Sequence, residues 1–80
     1  MLDTTITKWT SKEQKQKVIQ QILNTNKPIK YTYLAGFDRN GMWIYETEVI
    51  TANKVQELFS YFESYFIIET KQEIKIKRVN

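Results

Sequence analysis

The order of chemical patterns along the chain predicts an α+β fold. The specific form expected is a ferredoxin-like βαββαβ sandwich: a four-stranded antiparallel sheet, strand order 4-1-3-2, with both helices on one face. Three observations lead there. A turn signal, Asp38-Arg39-Asn40-Gly41, separates two β-rich segments; two amphipathic stretches with helical spacing lie on either side of that hairpin; and β-branched, alternating segments stand near both ends. Without a strand at the front, the same reading falls back to a three-stranded αββαβ arrangement.

Residues 2–8 alternate Leu2, Thr4 and Ile6 with Asp3, Thr5 and Thr7, as a short half-buried strand does. Thr10-Ser11-Lys12-Glu13 then reads as a capping box, with the Thr10 hydroxyl accepting from the Glu13 amide and the Glu13 carboxylate reaching back. Helix 1 is expected over about 11–24, where Val18, Ile19, Ile22 and Leu23 share one face before Asn24-Thr25-Asn26-Lys27-Pro28 stops it.

The segments Ile29–Phe37 and Met42–Ile50 form the hairpin. A two-residue Asn-Gly turn would put Phe37 on the side of Ile44, Glu46 and Glu48. A three-residue loop, with a type I turn starting at Asp38 and Gly41 left-handed in a bulge, shifts the parity. Ile29, Tyr31, Tyr33, Ala35 and Phe37 then share a face with Trp43, Tyr45, Thr47 and Val49, free of charge. Burying a lone carboxylate costs far more than a change of turn type, so the second register is expected, with these rings in the core.

Thr51 caps helix 2, in which Ala52, Val55, Leu58, Phe59, Phe62 and Phe66 recur at three- and four-residue spacing; Tyr61 and Tyr65 fall on its flank. The last strand sets Ile68, Ile74 and Ile76 against Glu69, Lys71, Glu73, Lys75 and Lys77. A break near 70–72, giving a short hairpin of 66–69 with 73–78, is the alternative, although no Gly or Asn supports it.

Eighty residues and 9.6 kDa make residues 1–80 one small domain. The absence of Cys and His removes disulfides, thiolate and imidazole metal sites and the commonest general base, so neither an enzyme nor a cofactor or metal is expected. Glu46 and Glu48 share a strand face, but nothing desolvates one of them selectively, as acid–base catalysis requires. With no long apolar run and no signal-like start, the expectation is a cytoplasmic protein without a membrane partner.

The net charge of +3 is unevenly spread. Residues 1–41 hold seven Lys/Arg against three Asp/Glu, residues 42–69 one against five, and residues 70–80 four against one. Two functional expectations follow. The first is a protein-interaction or regulatory module that binds a protein partner or a second copy through Tyr61, Tyr65 and Glu57. Its composition suits an accessory protein of a phage or mobile element in a low-GC bacterium. The second is nucleic-acid binding through Lys12, Lys15 and Lys17 of helix 1 with Lys75, Lys77 and Arg78 of the last strand. Ferredoxin-like RNA-recognition domains stack bases on the open sheet face. Gly41-Met42-Trp43-Ile44-Tyr45 echoes the longer of their motifs only in part, the basic residue being displaced and Leu2-Asp3-Thr4-Thr5-Ile6 carrying no ring.

Overall fold

A computed structural model describes residues 1–61 and 63–79. The elements are β1 (Asp3–Ile6), α1 (Lys12–Thr25), β2 (Ile29–Phe37), β3 (Trp43–Ile50), α2 (Ala52–Phe59), β4 (Ser64–Glu69) and β5 (Ile74–Val79). The class is α+β with two helices, but the sheet is five-stranded and mixed, in the order β1-β4-β5-β2-β3. The expected four-stranded antiparallel sheet in order 4-1-3-2 is therefore corrected, as is the three-stranded fallback. β2 and β5 are parallel, while β1–β4, β4–β5 and β2–β3 are antiparallel. Both helices are thus crossovers between parallel strands, β1-α1-β2 passing over β4 and β5 and β3-α2-β4 passing over β5 and β2.

The extra strand comes from the C-terminal region. α2 stops at Phe59, where the Ser60 hydroxyl donates to the Glu57 carbonyl at 2.6 Å and the Ser60 amide closes onto the same oxygen. Phe66, expected on the helix stripe, lies instead on β4, and Phe62 falls outside the described residues. The β4–β5 turn forms without Gly or Asn because Thr70 takes their place. Its hydroxyl accepts from the amides of Gln72 (3.3 Å) and Glu73 (3.1 Å), and its amide donates to the Glu73 carbonyl at 2.8 Å.

Helix caps follow the expected chemistry with one shift. Ser11, not Thr10, caps α1, its hydroxyl accepting from the Gln14 amide at 3.1 Å. Thr10 is engaged elsewhere: its hydroxyl accepts from the Thr7 amide at 2.9 Å and fixes the turn after β1. Asn26, left-handed at φ 54°, ends the helix. Thr51 caps α2 as expected, accepting from the Lys54 amide.

One core lies between the helices and one face of the sheet. Val18, Ile19 and Ile22 of α1 and Val55, Leu58 and Phe59 of α2 pack on Ile6, Ile29, Tyr31, Tyr65, Ile67, Ile74 and Ile76. Even residues of β1 and β5 and odd residues of β2 and β4 point inward, as the register of the four strands requires. None of the described helices is long and apolar enough to cross a membrane.

Candidate functional site on the open sheet face

The hairpin turn forms as its residues dictate. The Gly41 amide donates to the Asp38 carbonyl at 3.1 Å, the Asp38 amide donates to the Met42 carbonyl at 2.9 Å, and Gly41 is left-handed at φ 77°. Arg39, Asn40 and Gly41 are the three-residue loop, and Phe37 pairs with Trp43. The register then slips once, between Leu34 and Gly36. That bulge reverses the parity of β2 along its length, so Leu34 opposes Tyr45, Tyr33 opposes Glu46 and Tyr31 opposes Glu48.

The consequence is a division of the rings that the turn alone does not reveal. Tyr31 is buried and Tyr33 half-buried on the helix-covered face, the two stacked 5.2 Å apart. Phe37, Trp43 and Tyr45 lie on the opposite face, 61 %, 55 % and 42 % exposed. The expectation that the last three are core is overturned, and the bulge is the cause. Glu46 and Glu48 stay out of the core because β3 is the sheet edge and lies beyond the helices; seven of its eight residues are exposed. Glu46 accepts from the Tyr33 hydroxyl at 3.1 Å, which raises that phenol's pKa.

Strand pairing maps the open face. One row across the sheet runs Thr47, Thr32, Lys77, Phe66, Thr5, and the next runs Val49, Lys30, Lys75, Ile68, Asp3. Tyr45 and Leu34 begin a third row, and Trp43 and Phe37 end the face at the hairpin tip. The Thr32 and Thr47 hydroxyls bond across the first row at 2.8 Å. Phe37 and Trp43 meet edge to face at 6.1 Å, Trp43 and Tyr45 lie 6.5 Å apart, and the Lys77 ammonium sits 4.9 Å from the Tyr45 ring. Beyond Thr32, β2 no longer pairs with β5, so this aromatic end projects as a two-stranded arm. Among the described strand residues of this face, Lys30, Lys75 and Lys77 face a single acid, Asp3; Glu73, in the turn before β5, pairs with Lys30 at 2.9 Å.

The residues singled out from sequence do not assemble into one site. Lys75 and Lys77 are on the open face, but Lys12, Lys15 and Lys17 ride on α1, which packs against the other face. Arg78 has the inward parity of β5 and reaches the Tyr31 hydroxyl. The expected single basic patch is accordingly split. Tyr65 is corrected outright as a surface anchor: it lies on β4, 1 % exposed, with its hydroxyl donating to the Leu58 carbonyl at 3.0 Å. Burial pushes its pKa up to about 12. Tyr61 is half-exposed and donates to Glu57 at 3.1 Å, so these two remain together on the surface without Tyr65.

Phe37, Trp43, Tyr45 and Phe66 are the candidate site residues that the sequence reading placed on core-facing surfaces instead. A signal existed in Ala35-Gly36, a pair of small residues inside a β-rich run, which marks a bulge. Chemically, the face offers ring planes and ammonium groups. Among the described residues no group of three His, Cys, Asp or Glu could hold a metal ion. No protein-family model, curated protein or solved structure matches this chain.

Proposed function

We propose that this protein binds single-stranded nucleic acid on the open face of its sheet. One observation carries the reading: Phe37, Trp43, Tyr45 and Phe66 stand exposed on the same face as Lys30, Lys75 and Lys77. Unpaired bases present π-faces that stack on such rings at about 1–3 kcal/mol per base, and lysines add the phosphate contribution. A duplex hides those base faces, so the preference is for single strands. The described residues of the face carry three lysines against Asp3 on the strands and Glu73 in the turn, a net positive charge that suits a polyanion better than a second basic chain of net charge +3. The competing reading, protein docking through Tyr61 and Glu57, has lost its third anchor to the core.

Fluorescence anisotropy of labelled oligothymidylate and of a duplex of equal length, at two salt concentrations, tests the proposal. The expected result is preferential binding of the single strand, with log K falling by about 0.7 per neutralised phosphate for each decade of salt. Trp43→Ala and Tyr45→Ala each lower affinity while leaving the fold intact. Absence of single-strand binding at low salt overturns the proposal. Equal binding of both nucleic acids, unaffected by the ring substitutions, replaces stacking with bare charge attraction.

A further inference from the structure

We infer that Glu73 occupies the place of a ligand phosphate on the open face and competes with the nucleic acid for Lys30 and Lys75; this inference rests on the function proposed above. Its two carboxylate oxygens face two different lysines, Oε2 at 2.9 Å from Lys30 Nζ and Oε1 at 3.9 Å from Lys75 Nζ. That is how two oxygens of one phosphate would engage the same pair. The geometry is held from behind, because the Glu73 amide donates to the Thr70 hydroxyl and its carbonyl accepts from the Thr70 amide. The side chain of Glu73 is 18 % exposed, those of Lys30 and Lys75 46 % and 60 %, so the lysines are the partners free to swing toward a strand laid on the face. Lys77 lies over the Tyr45 ring, and among the described residues no salt bridge joins it to a carboxylate. Among the described residues of the open face, Lys77 therefore stands clear of this anion, Lys30 is paired with it and Lys75 lies at its edge. Ligand phosphate has to displace that anion or share its lysines.

The test compares oligothymidylate binding by the wild-type chain, Glu73→Gln and Glu57→Gln across a salt series. Gln keeps the main-chain bonds of the turn, and Glu57 lies on α2, so its substitution makes the same charge change away from the open face. Thermal melts of all three establish that each is folded. Glu73→Gln is expected to bind about two- to fivefold more tightly at low salt, the range that an exposed ion pair can supply. Its salt slope is expected to steepen by about 0.7 for each additional phosphate that the released lysines neutralise. Adding Lys30→Gln to Glu73→Gln should remove part of the improvement. The inference is overturned if the wild-type chain binds and Glu73→Gln binds no better, or if Glu57→Gln improves binding as much. If no variant binds at low salt, the functional reading itself fails and this one falls with it.

Discussion

The two faces of this sheet carry opposite chemistry on the same strands. On the helix-covered side stand Ile6, Ile29, Ile67, Ile74 and Ile76 with Tyr31 and Tyr65, all at most 7 % exposed. On the open side, the neighbouring positions of those strands hold Phe66, Ile68, Lys75 and Lys77, joined by Phe37, Trp43 and Tyr45 from the hairpin. Aliphatic branching packs densely under helices, whereas flat rings beside ammonium groups are a costly choice for a surface with nothing to bind. The difference separates the residues that hold the fold from those the proposed function would use.

Substitutions on the two faces should therefore have opposite signatures. Ile76→Ala, in the centre of the covered face, is expected to cost about 2–5 kcal/mol of stability by denaturant unfolding, the range for a buried aliphatic truncation. Trp43→Ala should cost no more than about 1 kcal/mol of stability, the range for an aromatic cross-strand pair such as Phe37–Trp43. Its cost should appear in single-strand affinity, at about 1–3 kcal/mol by titration. If the two variants lose stability equally, the division between the faces is wrong.

Tyr65 adds a hydrogen bond to the packing of the covered face. Tyr65→Phe removes the bond to the Leu58 carbonyl and is expected to cost about 1 kcal/mol at neutral pH. The phenol also contributes to the loss of stability at alkaline pH. Its folded pKa is pushed up to about 12 from 10.0, so the unfolded state ionises first and stability falls as pH rises through this interval. Tyr65→Phe should flatten that loss; an unchanged alkaline unfolding profile would remove Tyr65 as its cause.

The smallest expected effect is at the margin of the sheet. Lys27 Nζ lies 2.7 Å from Glu69 Oε2, and the Leu2 amide donates to Glu69 Oε1 at 3.0 Å. The lysine first and the amide second hold this carboxyl below its ordinary pKa. Its contribution is present above the ordinary carboxylate value and is lost as pH falls through the depressed folded one. Glu69→Gln should make the acid limb of a stability-versus-pH curve shallower, without altering oligonucleotide affinity at neutral pH.

How far the sequence discloses the molecule differs between the faces too. The helices, the Thr51 cap and the Gly41 turn follow from local chemistry and appear where their residues place them. The sheet order does not, because phenylalanines at 59, 62 and 66 keep helical spacing through the start of β4, and Thr70 closes a hairpin that lacks the usual turn residues. The open face is hidden by one inserted residue. Parity counted outward from Gly41 is right as far as Phe37 and Trp43 and fails past Ala35-Gly36, where the bulge turns Tyr31 and Tyr45 to opposite sides. Charge along the chain does not reveal the split of the lysines, because it cannot tell a helix packed on one face from strand residues on the other.

Single-strand binding on the open face is tested most directly by an amide and aromatic NMR map of the chain titrated with oligothymidylate at low salt. Shifts concentrated on Phe37, Trp43, Tyr45, Phe66, Lys75 and Lys77, with α1 and α2 unmoved, are expected. Shifts confined to Lys12, Lys15 and Lys17 on α1, or no shifts anywhere, would contradict it.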